Sequence, residues 1–447
     1  MKICVINGSP KGKYSITLQT SLYLQQRFPE HSFSFLQAGQ RIRTYEKDMT
    51  DAVRVMEAAD LILFSYPVYT FLAPSQLQRF IELLKESGAG LKGKYVTQIT
   101  TSKHFFDVTA HRYIEDNCHD LGMKVIHGLS ADMDDLTKTQ GRRDAEAFLK
   151  YVNFCMINGI SEPAPKQEPG PVPLYQASLP AVPKKVGREI VIVADLKEED
   201  DSLAAMIEDF RAVSSYPTRL VNIREYPFAG GCLGCFHCAA TGRCIYKDGF
   251  DTFLREQIQT ADAVCLAFSI RDHSMGARFK MYDDRQFCNG HRTVTEGMPF
   301  AYLIHGDYAA EENLRTVIEA RSEVGHNFFC GAGTDADSIR DTAGRLTYAM
   351  EHHYLQPRNF YGVGGMKIFR DLIWLMQGLM AEDHAYYKKH GIYDFPQKQF
   401  GKMLAVRVLG SIVRSPKISA RLGNRMTEGM LAPYTKVIRE AKKRNRK

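Results

Sequence analysis

The sequence predicts an α/β protein: two doubly wound parallel-sheet domains in tandem, followed by a mainly helical C-terminal extension. Three observations carry this expectation. Short apolar strands alternate with segments of helical spacing from residue 1 to about 158. A proline-rich stretch then breaks the pattern, and the alternation restarts near residue 189. Strands separated by helices of this length predict parallel sheets with helices on both faces. The expected boundaries are 1–160 for the first domain, 161–187 for a linker, 188–336 for the second domain and 337–447 for the extension.

In the first domain, Lys2–Asn7 reads as an apolar strand and Ser15–Phe28 as a helix. Strands follow at Leu61–Ser65, Tyr95–Thr100 and Lys124–His127, with helices at Pro74–Lys85, Ala110–Leu121 and Arg143–Met156. Pro163, Pro165, Pro169, Pro171, Pro173, Pro180 and Pro183 exclude helix interiors and central strands, so the segment between the domains reads as extended. The second series has strands at Glu189–Ala194, Ala263–Phe268 and Phe300–His305, with helices at Asp201–Val213, Ser274–Phe287 and Glu311–Val324. It reads as a repeat of the first domain. Leu61–Ser65 with Pro74, Leu77 and Phe80 aligns with Cys265–Ser269 and Arg278–Met281, and Gly93–Val96 aligns with Gly297–Phe300.

A chain of 447 residues is too long for one core. No secretory signal or membrane-spanning stretch is readable, which predicts a cytoplasmic protein. Ten cysteines in this length do not suggest a disulfide scaffold. The net charge of +7 conceals an asymmetry: from Gly401 onward 13 Lys/Arg face two acids, leaving −4 on the rest. The tail reads as a solvated helix end or a contact for an acidic partner or anionic membrane. A nucleic-acid binder would spread basic charge over a folded face, so nucleic acid is not expected.

The first strand runs into Asn7-Gly8-Ser9-Pro10-Lys11-Gly12-Lys13-Tyr14-Ser15-Ile16-Thr17, and a helix follows. Small residues bring backbone N–H groups close to a ligand, Ser9, Ser15 and Thr17 add hydroxyls, and a helix N-terminus favours an anion. The loop lacks the Gly-Lys-Ser/Thr ending of a nucleotide triphosphate loop and is not G-x-G-x-x-G, so it suits a terminal phosphate. Its bland alternative is an ordinary polar turn. The next strand-end loop, Ser65-Tyr66-Pro67-Val68-Tyr69, offers aromatic faces from Tyr66 and Tyr69. The third, Thr100-Thr101-Ser102-Lys103-His104, offers hydroxyls. Phosphate, stacking and polar contacts on one sheet edge are what a flavin mononucleotide needs. The candidate cofactor residues are Ser9, Lys11, Ser15, Ile16, Thr17, Pro67, Val68, Tyr69, Thr101 and Ser102.

These residues resemble the NADPH-dependent FMN reductase branch of the flavodoxin-like superfamily. N-G-S-P-K-G-K-x-S-x-T at Asn7 to Thr17, P-V-Y at Pro67 to Tyr69 and P-x-x-L-x-x-F at Pro74 to Phe80 carry the likeness. It implies FMN phosphate on Ser9, Ser15 and Thr17, the ring near Pro67 to Tyr69, and Thr101 and Ser102 near the ring edge.

The corresponding loop of the second domain, Ala194 to Asp201, is acidic and has no glycine, so FMN is not expected there. That domain carries instead Cys232, Cys235, Cys238 and Cys244, spaced C-x2-C-x2-C-x5-C. The compact spacing fits a [4Fe–4S] cluster; a structural zinc and metal-free thiols are the alternatives. Cys4, Cys118, Cys155, Cys265, Cys288 and Cys330 read as buried small hydrophobes. The motif, with Gly242 before the last cysteine and Lys247-Asp248 after it, resembles iron-sulfur flavoproteins of the same superfamily. There the cluster motif and flavin loop share one domain; here they are on two. An intramolecular pseudo-dimer or a homo-oligomer would bring them together.

The leading functional expectation, resting on resemblance, is an FMN-dependent NAD(P)H oxidoreductase passing electrons through flavin, with a [4Fe–4S] cluster, to a small-molecule or redox-protein acceptor. The alternatives are an electron carrier fed by ferredoxin-like partners without nicotinamide binding, and a zinc-stapled regulatory flavoprotein. No catalytic dyad is readable, and hydride transfer requires none.

Overall fold

The computed structural model describes residues 1–164, 170, 172–413, 431, 434–435 and 437–439. Linker prolines Pro165, Pro169 and Pro171 and most of the basic tail, Lys436 and Lys442 to Lys447 included, lie outside the described residues. The chain divides into two compact units, Met1–Tyr387 and Lys388–Lys447.

The first sheet comprises β1 (Lys2–Asn7), β2 (Ser32–Leu36), β3 (Leu61–Pro67), β4 (Tyr95–Ser102), β5 (Lys124–Val125) and β6 (Leu129–Asp132), all paired in parallel. The strand order is β2-β1-β3-β4-β5, with β6 extending the β4 edge beyond β5. The second sheet comprises β7 (Ile190–Ala194), β8 (Thr218–Asn222), β9 (Ala263–Ser269), β10 (Pro299–His305) and β11 (Phe328–Gly333), ordered β11-β10-β9-β7-β8. Counted within its own domain each sheet runs 2-1-3-4-5, the flavodoxin-like order. Central strands are near-continuous apolar runs because both faces are covered: Ile190 to Ala194 are all fully buried.

The duplication extends to loop geometry. Tyr69 and Leu72 exchange backbone hydrogen bonds across Thr70 and Phe71, both at positive φ. Arg271 and Ser274 do the same across Asp272 and His273. The aligned register is Leu61–Pro67 with Ala263–Ser269, two residues away from the alignment expected with Cys265–Ser269. The Gly93/Gly297 match holds: the two amides donate to Gly122 O and His326 O, each at 2.8 Å.

The domains pack through corresponding helices. Helices Ser75–Glu86 and Gly276–Arg285, which follow β3 and β9, lie against each other. Each gives an amide of its first turn to a carboxylate of the other: Ser75 N to Asp284 Oδ2 at 2.9 Å, and Ala277 N to Glu82 Oε1 at 2.7 Å. Helices Asp107–Asp120 and Glu312–Gly325 make a second contact, where Asn313 Nδ2 donates to Thr109 O at 3.0 Å.

Two segments differ from expectation. Helix Ala336–His352, assigned above to the extension, packs Ile339, Ala343, Leu346 and Met350 into the second core and closes that domain. The described part of the linker lies on the second domain rather than free. Tyr175 N donates to Ser202 Oγ, Asp209 accepts from Ser178 N and Leu179 N, and Lys184 Nζ holds Ser214 O at 2.6 Å, beyond the helix Asp201–Val213. Helix Phe360–Leu375 then crosses the helix Glu312–Gly325, and Ala381–Lys389 follows. In the other unit, helix Phe400–Val413 exposes Phe400, Leu404 and Val406. Among the described residues no helix is long and apolar enough to cross a membrane.

Candidate functional site

β1 ends at Asn7, whose side chain builds the loop that follows. Its Oδ1 accepts from Ser9 N at 3.2 Å, and its Nδ2 donates to Gly12 O at 3.0 Å and Gln37 Oε1 at 2.8 Å. Ser15 caps the helix Ile16–Arg27, accepting from Leu18 N at 3.4 Å. Ser9, Ser15 and Thr17 are buried at that helix end, whose first amides have no partner within the helix. Thr17 Oγ1 lies 2.6 Å from Thr101 Oγ1, tying this loop to the end of β4. Hydroxyls and helix amides with no carboxylate among them suit a phosphate.

The ring platform comes from the other strand ends. Pro67, Val68 and Tyr69 leave β3, and Thr101 and Ser102 end β4. All ten candidate cofactor residues line one cavity. Tyr66 does not. It is fully buried, and its hydroxyl donates to Gln98 Oε1 at 2.6 Å and Ala110 O at 3.0 Å, on the opposite face of the sheet from Pro67. Alternation along the strand turns the Tyr66 side chain away from the cavity that Pro67 lines. Thr100 likewise turns away to His111 Nε2 at 2.7 Å.

The four cysteines of the second domain line the same cavity. Their loop is clamped onto the first domain by backbone contacts. Tyr69 Oη donates to Leu233 O at 3.3 Å, and Gln76 Nε2 donates to Cys232 O at 3.3 Å. Gly234 has φ +60°, and a Cβ there would lie 2.0 Å from Tyr69 Oη. Only glycine lets the loop approach the tyrosine this closely. Lys11 Nζ lies 5.5 Å over the Phe236 ring. Burial lowers the Lys11 pKa, and Cys235 and Cys232 oppose that shift.

Burial raises the Cys232 thiol and pushes Cys238 up to about 11. Gly234 N donates to Cys232 Sγ at 3.4 Å. Arg285 holds Asp248 through two hydrogen bonds of 2.8 Å and places Nη2 3.8 Å from Cys244 Sγ. On one tetrahedral zinc, sulfurs about 2.3 Å from the ion sit roughly 3.8 Å apart. Among the described residues no three of the cysteine sulfurs lie within 4.8 Å of one another. A cubane takes one thiolate on each of four irons.

The second domain's own phosphate position is filled from within. Asp200 stands at the N-cap equivalent to Ser15; it accepts from Leu203 N at 3.3 Å and from Ser269 Oγ at 2.5 Å. Its carboxylate occupies the end of the helix where a phosphate would sit, and Asp195 beside it pairs with Arg224 at 2.7 Å.

Sequence reasoning missed the far wall. Phe287 and His291 of the second domain and Ile368, Phe369 and Leu372 of helix Phe360–Leu375 complete the cavity. Phe369 stacks on Phe105 with centroids 4.3 Å apart, joining the extension to the first domain. The aromatic richness of the extension was the available signal.

Residues 1–131 match the profile of the family described as NADPH-dependent FMN reductase. An iron-sulfur flavoprotein of Archaeoglobus fulgidus is 35% identical over 66 residues, which is 15% of this chain and 30% of that protein. The chain therefore spans about a third of the length of the curated relative it matches. Among solved structures, a putative quinone reductase from Klebsiella pneumoniae aligns at 16% identity over 36% of this chain and 86% of its own, with a TM-score of 0.28. An FMN-dependent NADH-azoreductase from Bacillus anthracis, in complex with FMN, aligns at 12% identity over 34% and 97%, with a TM-score of 0.29. The strand order and the phosphate loop of the first domain agree with the match of residues 1–131 to the NADPH-dependent FMN reductase family.

Proposed function

We propose that the chain is an FMN-dependent NAD(P)H oxidoreductase that carries a [4Fe–4S] cluster on Cys232, Cys235, Cys238 and Cys244 and passes electrons between the two groups. The observation that carries this reading is that ten flavin-site residues from one domain and four cysteines from the other line a single cavity. A flavin, when bound, accepts hydride and releases electrons singly, the link required between a nicotinamide and a cluster.

The residues divide this work among themselves. Ser9, Ser15 and Thr17 with the helix end hold the phosphate. Pro67 to Tyr69 and Thr101 to Ser102 position the ring. Lys11 and Arg285 offset negative charge near the thiolates. The extension helix covers the cavity and excludes water. Duplication within one chain supplies the second half of a dimer, so cluster and flavin meet without a partner subunit. Ten cysteines without a disulfide accord with a cytoplasmic setting.

The test is anaerobic purification, iron and zinc analysis, and the visible spectrum before and after NADPH or NADH. Four irons per chain, with flavin bands that bleach on nicotinamide addition, support the proposal. Zinc with a flavin spectrum alone refutes the cluster. A flavin reduced by ferredoxin but by neither nicotinamide replaces the oxidoreductase with a carrier.

A further inference from the structure

The unit Lys388–Lys447 holds a helix that keeps an apolar face in water. Phe400, Leu404 and Val408 of the helix Phe400–Val413 recur every four residues and so share one face. Their exposed fractions are 76%, 65% and 55%. A helix that serves a core turns such a face inward, and an apolar face left outside marks an interaction site. Lys402 and Arg407 lie on another side of the helix, where they line one shallow cavity with Met403 and Val406. Among the described residues neither cation meets a carboxylate. The surrounding sequence is of one sign: residues 400–427 carry six Lys/Arg and no acid. Further along, Leu431, Tyr434 and Ile438 are exposed too, at the three- and four-residue spacing of a helical face.

Charge and apolar surface select the partner together. A nucleic acid or an acidic chain would pair with the cations and leave Phe400, Leu404 and Val408 facing water. An apolar groove on another protein would cover those three and leave six like charges to be matched one by one. An anionic bilayer takes up both, its acyl chains the apolar face and its headgroups the cations. Length decides how. Fourteen residues of helix rise about 21 Å, short of the roughly 30 Å hydrocarbon core, so the helix lies in the headgroup plane and does not span.

We propose that the helix Phe400–Val413, with the cationic segment that follows it, docks the protein on the surface of an anionic lipid bilayer. Phe400, Leu404 and Val408 enter the acyl boundary, and Lys402 and Arg407 reach along their alkyl stems to the headgroup phosphates. Nothing in this docking depends on the oxidoreductase reading.

The test floats the full-length protein on a density gradient with vesicles of phosphatidylcholine, either pure or mixed with phosphatidylserine. The parent is expected to float with the mixed vesicles and to bind the pure ones at least ~10-fold more weakly. Raising salt from about 0.1 M to about 1 M shortens the screening length from about 10 Å to about 3 Å and is expected to weaken binding to the mixed vesicles. These two arms use the parent alone, so they hold whether or not a variant folds. Lys402→Gln and Arg407→Gln are each expected to weaken binding to the mixed vesicles about fivefold. Phe400→Ser with Leu404→Ser is expected to weaken it about 100-fold, with the gel-filtration volume unchanged because both side chains are exposed. A parent that does not float, or that binds both kinds of vesicle equally, overturns the proposal. So does unchanged binding after Phe400→Ser with Leu404→Ser, which would reduce the contact to bare charge. Tighter binding of the parent to an RNA duplex than to the mixed vesicles would assign the cations to nucleic acid and overturn it. A parent dimer that Leu404→Ser turns into a monomer would assign the apolar face to a second copy of this chain, with the same result.

Discussion

The interface between the duplicated domains turns on one buried ion pair, and Asp284→Ala measures its strength. Asp284 and Lys280 have no exposed side-chain surface and pair within one helix. Asp284 also accepts from Ser75 N at 2.9 Å and from Thr70 Oγ1 at 3.2 Å, both across the interface. Lys280 Nζ donates to Tyr69 O at 2.9 Å. Removing the carboxylate leaves a buried ammonium with one carbonyl and the more distant Asp283, 3.9 Å away, and orphans the Ser75 amide. Breaking a buried pair in this way costs about 3–5 kcal/mol, and an unpaired buried amide alone about 1–3 kcal/mol. The two overlap, so about 4 kcal/mol is expected, a large part of the ~5–15 kcal/mol that holds a domain together. Equilibrium urea denaturation of parent and variant reads the difference. The double variant Lys280→Met with Asp284→Leu removes both charges and is expected to recover most of the loss. A single-variant loss below about 1 kcal/mol, or a double variant no better than the single, would refute the reasoning.

Three further outcomes follow from named contacts. Ser9→Glu places a carboxylate where the phosphate is proposed to sit, and stoichiometric FMN should be lost; FMN retained on gel filtration would sink the phosphate-loop assignment. Gly234→Ala puts a methyl group into Tyr69 Oη and forces φ +60° on a residue that resists it, so iron content should fall while FMN content holds. Equal loss of both would show that the loop supports the whole fold rather than the cysteine site. Burial lowers the His111 pKa to about 4 against 6.5 for the free side chain, so the folded state binds fewer protons than the unfolded state between those values. Stability contributed by neutral His111 is present above pH 6.5 and lost as pH falls through this window, about 3 kcal/mol in all. His111→Gln should flatten the dependence of the urea midpoint between pH 7 and 5, and an unchanged slope would assign it to other groups.

The sequence by itself determined what is local. β1, its loop and the helix from Ile16 are legible because an apolar run, small residues and a capping serine act over neighbouring positions. Central strands β3, β7, β9 and β10 show as apolar runs because both their faces are covered. Edge strands β2, β8 and β11 escaped. Ser32–Leu36 and Thr218–Asn222 contain no fully buried residue, so partner and register, rather than composition, make them strands. The helix Ala336–His352 looked like extension because nothing along the chain marks which core a helical face will join. The two candidate cofactor motifs were also legible, each compact in sequence. That they share a cavity was not: it depends on Ser75–Glu86 meeting Gly276–Arg285 and on Gly234 reaching Tyr69, contacts more than 150 residues apart along the chain. His291 and Phe369 were invisible for the same reason. A single histidine or phenylalanine lines no cavity until packing sets them beside one another, and packing is a property of surfaces that only the folded chain possesses.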